Sequence, residues 1–165
     1  MNPLKFPPLR APLKFYAVVP DAAWVERMVK AGADTVQLRN KTLSGEALRE
    51  EIRHCVAAVA GSETQLFIND YWREAIAEGA YGVHLGQEDM DSADLAAIAA
   101  AGLRLGLSTH SVDELDRALS VHPSYVASGA IFPTTTKEAK FHAEPDLLEW
   151  WQSMMTTPCV AIGGI

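Results

Sequence analysis

Polar side chains follow several apolar segments of this chain, at the points where predicted β-strands end. They are cations, amides, hydroxyls and two aspartates: Gln37, Arg39 and Lys41; Asn69 and Asp70; Asp89; Ser108; Thr134, Thr135, Thr136 and Lys137. In parallel α/β proteins each strand delivers its carboxyl-terminal loop to one common face, so we expect these groups to meet there. The residue types suit a phosphorylated substrate bound together with a divalent metal.

The first group has the spacing of a strand. Side chains alternate along a strand, so Gln37, Arg39 and Lys41 share one face and the intervening Leu38 and Asn40 take the other. Arginine offers a forked donor to phosphate oxygens and lysine a mobile point charge. The alternative is a solvated loop that begins at Arg39.

Two aspartates at neighbouring strand ends suggest a metal site. Asp70 and Asp89 could share one Mg²⁺, which prefers oxygen ligands and leaves other positions to water and substrate phosphate. Equally, Asp70 could cap a helix that begins at Tyr71, and Asp89 could belong to the turn before Asp91. No cysteine and histidine spacing indicates zinc.

Four further features have both a functional and a structural interpretation. Ser108 offers a hydroxyl at the same edge or begins a helix, and His84 is expected to be buried and hydrogen-bonded rather than catalytic. The long connection over 129–144 is either a ligand-covering loop or a plain surface loop. Gly163 and Gly164 form a turn, or allow backbone amides to approach a phosphate.

Strands and helices alternate along the chain. Apolar runs of strand length occur at about 13–19, 34–38, 65–68, 80–85, 103–107, 124–128 and 158–162. Helical patterns occupy about 21–31, 44–60, 71–78, 91–101, 111–119 and 145–155. Expected helix caps are Asp21, Ser44, Asp91 and Ser111, the last with Glu114 completing a capping box.

This alternation predicts parallel strands with helical crossovers. An open doubly wound sheet and a (β/α)8 TIM barrel both fit it, and functional groups on four different strands favour the barrel. Because the chain stops after the seventh strand, we expect a barrel truncated there. We predict an extended arm over 1–12 and the barrel domain over 13–165.

Composition excludes several classes of protein. The 165 residues carry a net charge of −7, which argues against a nucleic-acid binder. We find no apolar run of membrane-spanning length and no signal-peptide core, so we expect a cytoplasmic protein with small-molecule partners. We expect Cys55 and Cys159 to be reduced, and the sequence leaves a homo-oligomer open.

Taken together, the motifs resemble those of thiamine phosphate synthases (thiamin-phosphate pyrophosphorylases). Six segments carry the resemblance, in family order and spacing: 37–41 (QLRNK), 67–70 (FIND), 82–89 (GVHLGQED), 106–110 (GLSTH), 129–137 (GAIFPTTTK) and 161–165 (AIGGI). The resemblance implies a TIM-barrel transferase of thiamine biosynthesis. Such an enzyme joins a hydroxymethylpyrimidine diphosphate to a thiazole phosphate, carboxylated or not, and releases pyrophosphate.

The resemblance also implies residue roles. It places the pyrimidine diphosphate on residues 37–41, Asn69, Ser108 and Lys137, with Arg39, Ser108 and Lys137 assisting catalysis. It assigns Mg²⁺ to Asp70 and Asp89, and the thiazole phosphate to residues 134–136 and Gly164.

Two rival functions stay open. A thiazole tautomerase has a similar barrel but does not need the diphosphate and metal set, so the presence of that set disfavours it. A non-catalytic binding barrel is the other.

Overall fold

The computed structural model describes residues 4–132, 149, 151 and 153–164, and its central feature is one parallel sheet. Its strands are β1 (Tyr16–Val19), β2 (Thr35–Leu38), β3 (Gln65–Asn69), β4 (Gly82–Leu85), β5 (Arg104–Thr109), β6 (Tyr125–Ser128) and β7 (Cys159–Ala161). They lie side by side in chain order, and every neighbouring pair is parallel. A doubly wound sheet reverses its order at a switch point, whereas a TIM barrel does not. The barrel prediction is therefore confirmed.

Helices connect the first six strands. They are α1 (Ala22–Lys30), α2 (Gly45–Val59), α3 (Trp72–Ala77), α4 (Gln87–Ser92), α5 (Leu95–Ala100) and α6 (Val112–Leu119). Asp21 caps α1 as predicted, since its carboxylate accepts from the backbone N–H of Trp24 at 2.9 Å. Within the described part of the chain, no helix is long and apolar enough to cross a membrane.

Local capping differs from the predictions at three places. Ser111 caps α6 by accepting from Glu114 N at 3.2 Å, but the Glu114 carboxylate accepts from His110 N at 2.8 Å, one residue before a standard capping box. Ser44 has the extended backbone of a cap, but its side chain makes no capping hydrogen bond.

The predicted helix at 91–101 is two helices, which corrects both its start and its cap. The break lies between α4 and α5, where Asp94 accepts from Ala97 N at 2.9 Å and caps α5. Asp91 is therefore not a cap but lies within α4, where it forms an ion pair with Arg117. The predicted helix at 145–155 and the loop at 129–144 fall mostly outside the described residues.

Two apolar layers flank the sheet. The outer layer packs strand side chains such as Val36 and Leu38 against helix residues such as Ile52 and Ile98, all buried. The inner layer, on the concave side, contains Phe67, Tyr125, Ala127 and Val160. Burial of both faces explains why β2, β3, β4 and β6 are buried at every position.

The extended segment before β1 lies across the amino ends of the strands. Arg10 N donates to Gln65 Oε1 at 3.1 Å and to Tyr81 Oη at 2.8 Å, and Tyr81 donates to the same glutamine oxygen at 2.7 Å. The Arg104 guanidinium stacks on the Tyr81 ring, 4.3 Å from its centroid. The polar groups at the amino ends of the strands therefore hold the extended segment against the sheet. Cys55 and Cys159 are both free thiols, as predicted.

Two glycines make room for aromatic rings inside the sheet. A Cβ on Gly82 would lie 2.6 Å from the Phe67 ring, and one on Gly106 would lie 2.1 Å from Cζ of Tyr125. Tyr125 pairs with Gly106 across β5 and β6, so its ring occupies the space that any side chain at 106 would take. Glycine is the only residue that fits at either position.

We predict that Gly106→Ala destabilises the protein by about 1–3 kcal/mol, because the added methyl overpacks the interior. Urea unfolding followed by far-UV circular dichroism measures the loss. The control is the double variant Gly106→Ala/Tyr125→Leu, in which the clashing ring is gone. The loss of unfolding free energy in the double variant should be smaller than the sum of the losses in the two single variants. Simple additivity would contradict the assigned clash.

Candidate active site

A cavity of about 910 Å³ is lined by the carboxyl ends of the strands, and it extends along the edge strands β1 and β7 as far as Leu13 and Cys159. Its walls include residues from the ends of β2 to β5 and from the segment after β7. Among the residues singled out from the sequence, it is lined by Gln37, Arg39, Lys41, Asn69, Asp70, Asp89, Ser108 and Gly164. The structure therefore brings together eight of the residues that the sequence placed at separate strand ends.

Two residues of the 37–41 segment lie elsewhere. Leu38 is 1% exposed and packs in the outer apolar layer. The Asn40 side-chain oxygen accepts from Thr42 N at 3.0 Å and from Leu43 N at 2.8 Å, so it organises the loop that leads to α2. Strand alternation turns both side chains away from the cavity. Thr134, Thr135, Thr136 and Lys137 lie outside the described residues.

Asp70 and Asp89 form a close acidic pair in the cavity. Burial, and after it the negative charge of Asp70, raise the pKa of the Asp89 carboxyl above its ordinary value. The Lys41 ammonium forms an ion pair with Asp70 and offsets part of this repulsion. No cluster of three or more histidine, cysteine, aspartate or glutamate side chains suited to a metal occurs in the described ranges.

This donor set fits Mg²⁺. Two carboxylates that repel each other in a partly enclosed site gain from a shared cation, and Mg²⁺ takes its other ligands from water and substrate phosphate. A zinc or calcium site would normally draw more ligands from the protein.

Backbone geometry places each aspartate. Asp70 has a φ of 65°, a left-handed conformation that aspartate tolerates better than most residues. Its N–H donates to the His84 carbonyl at 2.9 Å, which continues the β3–β4 ladder by one residue. Asp89 lies in the first turn of α4, so the alternative interpretation, in which it belongs to a turn before Asp91, does not hold.

A chain of five hydrogen-bonded side chains crosses the cavity floor. Gln37 Nε2 donates to Tyr16 Oη at 2.8 Å, and the hydroxyls of Tyr16 and Tyr125 lie 2.6 Å apart. His84 then joins Tyr125 Oη through Nδ1 at 2.7 Å and Ser108 Oγ through Nε2 at 2.8 Å. The prediction of a buried, hydrogen-bonded His84 is confirmed.

The sequence reasoning missed Tyr16 and Tyr125. Both lie in strands at positions of the inward face, and Tyr125 precedes the inward Ala127 by two residues. That period-two relation was a usable signal. What it could not supply is the partner of each hydroxyl, because those partners come from other strands.

His110 is a second histidine at the cavity wall. Its Nδ1 lies 2.8 Å from Glu114 Oε2, the same oxygen that accepts from the His110 backbone N–H. The carboxylate at the start of α6 thus fixes the orientation of this ring.

Comparison with known proteins shows the family of this chain. Residues 15–165 match the family model described as thiamine monophosphate synthase. The chain is 72% identical over 164 residues to a thiamine-phosphate synthase of Neisseria meningitidis serogroup B, covering 98% of this chain and 80% of the relative. It is 52% identical over 153 residues to a thiamine-phosphate synthase of Rhizobium etli, covering 92% of this chain and 75% of the relative.

A solved structure shows the same architecture. Thiamine phosphate pyrophosphorylase from Pyrococcus furiosus superposes with a TM-score of 0.80 at 28% sequence identity, over 93% of this chain and 76% of that one. The match of the family model over most of the chain and the high identities to curated relatives agree with it. This chain belongs to the thiamine monophosphate synthase family.

Proposed function

We propose that this protein is a thiamine phosphate synthase, a transferase that joins 4-amino-2-methyl-5-hydroxymethylpyrimidine diphosphate to a thiazole phosphate. The products are thiamine monophosphate and pyrophosphate. One observation carries the proposal beyond family membership. The cavity holds two cationic side chains, Arg39 and Lys41, beside a pair of carboxylates, Asp70 and Asp89, in a chain whose net charge is −7.

The chemistry needs charge stabilisation more than it needs a base. The methylene C–O bond of the pyrimidine breaks with its electron pair going to the leaving diphosphate, and the thiazole nitrogen lone pair then forms the new C–N bond. Arg39 donates to the oxygens on which negative charge grows, and Ser108 adds a hydroxyl. Asp70 and Asp89 would hold Mg²⁺, which supplies further positive charge at the diphosphate when bound.

Other residues of the cavity orient the reactants. Gln37 and Asn69 offer amides near the cavity floor, and both are more than nine-tenths buried, so their positions are well constrained. Gly164 has a φ of 75°, which lets backbone atoms rather than a side chain face a phosphate. Holding the thiazole nitrogen beside the carbon centre supplies the rest of the acceleration by proximity.

Several assignments rest on the sequence resemblance alone. Lys137 as a cation for the diphosphate and residues 134–136 as ligands of the thiazole phosphate remain predictions. A cytoplasmic location also stays a prediction, drawn from the composition, and the sequence leaves a homo-oligomer open.

A thiazole tautomerase is the nearest alternative activity. It would not use the acidic pair or the diphosphate-binding cations, and the structure places all four of those side chains on one cavity. A binding protein without turnover would need the same four side chains to hold its ligand. A turnover assay therefore separates that alternative from the synthase.

We predict pyrophosphate release in equal amount to thiamine monophosphate when both substrates and Mg²⁺ are present. Removing the metal with a chelator should abolish turnover, and added Mg²⁺ should restore it. A coupled pyrophosphate assay with chromatography of the product measures both. Isomerisation of the thiazole phosphate without pyrophosphate would indicate the tautomerase, and tight substrate binding without product would indicate the binding barrel.

We predict that Asp89→Asn and Asp70→Asn each lower turnover by about 10²-fold at limiting Mg²⁺, because each removes a charge from the acidic pair. Asparagine also tolerates the positive φ of residue 70, so the backbone should be retained. Rates measured against Mg²⁺ concentration test this. Asp116→Asn, on the exposed surface of α6, is the matched control and should behave as the wild type. Equal rates in all three variants would refute the metal assignment.

A further inference from the structure

We propose that Gln87 and Arg117 are positioning residues, which hold helix α4 and its Asp89 against the end of β5. The inference deepens the proposed function, because it rests on the assignment of Asp89 as a metal ligand there. Both residues are outside the set that lines the cavity, so neither is placed to touch the substrate or the metal. They act through the helix that carries Asp89.

The position of Asp89 is tied to that of α4. Asp89 is the third residue of this helix, and its carboxylate interacts with the backbone of Gly86, the cap residue. The helix has six residues, and Met90 is the only one of them that is buried. A helix this short is not stable by itself, and one apolar side chain is a small anchor. Further contacts must therefore fix the place of α4, and with it that of the carboxylate.

Gln87 supplies the first of these contacts. The pairing of β4 with β5 ends where Leu85 lies opposite Leu107. The next carbonyl of β5, that of Ser108, accepts a hydrogen bond from Gln87 Nε2 at 2.7 Å. A side chain from the first turn of α4 thus takes the place of a strand neighbour. This bond joins the helix of Asp89 to a residue that lines the same cavity.

Arg117 supplies the second contact, from α6. Its Nη1 donates to Gln87 Oε1 at 3.3 Å, and its Nη2 forms an ion pair with Asp91. Gln87 and Asp91 are four residues apart, so they lie on one face of α4, and one planar guanidinium reaches both. A single orientation of the Gln87 amide serves both of its partners, because the arginine needs the oxygen and the Ser108 carbonyl needs the nitrogen. Together the three contacts form a clamp on α4.

The clamp affects position more than stability. The side chains of Arg117 and Asp91 are 40% and 69% exposed, and ion pairs this exposed add little to the stability of a protein. A variant without the clamp should therefore still fold. The placement of Asp89 relative to Asp70 is more sensitive, because a cation shared by two carboxylates needs both of them in fixed positions.

Amide hydrogen exchange followed by NMR tests the clamp without any ligand. Gln87→Met and Arg117→Met should each speed the exchange of the Met90 and Ala93 amides, whose hydrogen bonds to Gly86 and Asp89 depend on α4. Exchange in β3 should stay as in the wild type. Unchanged exchange at α4 in either variant would overturn the inference.

Titration with Mn²⁺ alone, with the free ion counted by electron paramagnetic resonance, tests the effect on the metal. Binding that survives in Asp70→Asn is background. Gln87→Met and Arg117→Met should each weaken the remaining binding by about threefold to tenfold, less than when a direct partner of a metal ligand is removed. For Arg117→Met, charge alone would act in the opposite direction, because the loss of a positive charge favours a cation. Equal or tighter binding would therefore overturn the inference.

The matched control is Arg49→Met. Arg49 lies on α2 with a side chain that is 44% exposed, and it pairs with Glu78 at the end of α3, another helix of six residues. This variant loses the same charge, yet it should leave α4 exchange and Mn²⁺ binding unchanged. In Gln87→Met/Arg117→Met the loss of Mn²⁺ affinity should be smaller than the product of the two single losses, because both residues act on one helix. The full product would contradict a single clamp.

Failure of the inference is distinguishable from failure of the proposed function. Weaker Mn²⁺ binding in the two variants supports the clamp even if the wild type releases no pyrophosphate from both substrates, a result that would refute the function alone. Turnover in the wild type, with Mn²⁺ binding that is equal in the variants, would refute the clamp alone. A wild type that binds no Mn²⁺ beyond the Asp70→Asn background would overturn the inference together with the metal assignment.

Discussion

Parallel pairing of each strand with its successor is the constraint on which the rest of this molecule depends. It places seven carboxyl ends on one edge, and the helical crossovers place all amino ends on the other. Residues separated by more than a hundred positions, such as Gln37 and Gly164, line the same cavity for this reason. The opposite edge is closed by the segment around Arg10, whose polar contacts hold the fold and take no part in the cavity.

The second determinant is the balance of charge in the cavity. An acidic protein that binds diphosphate must gather its cations locally, and Arg39 and Lys41 do so at the end of one strand. Asp70 and Asp89 work against that balance unless a cation joins them. Burial first, and the charge of Asp70 after it, raise the pKa of the Asp89 carboxyl. Under the proposed function, these charges suit an anion and a metal bound together.

Between the cavity and the apolar interior lies the hydrogen-bonded floor. Tyr125 belongs to both, because its ring packs edge-on against Phe67 at 5.0 Å while its hydroxyl joins Tyr16 and His84. Such a residue couples core packing to the orientation of site residues. A substitution that shifts its ring would therefore be transmitted to Gln37 through Tyr16 and to Ser108 through His84.

Sequence by itself determined the alternation of strands and helices and most residues at the carboxyl edge, because hydrophobic periodicity and strand ends are local properties. It favoured the barrel over an open doubly wound sheet, and the strand order in the structure decided between them. Alternation along the strand also predicted that the side chains of Gln37 and Arg39 lie on the face opposite to that of Leu38. Only the tertiary structure decided that Asn40 organises a loop, that Asp94 and not Asp91 starts a helix, and that Tyr16 and Tyr125 connect the site. The tyrosine contacts depend on which donors and acceptors meet across strands distant in sequence, and no local pattern predicts those pairs. The Asn40 and Asp94 contacts are local, but they depend on where the folded backbone begins the loop and the helix.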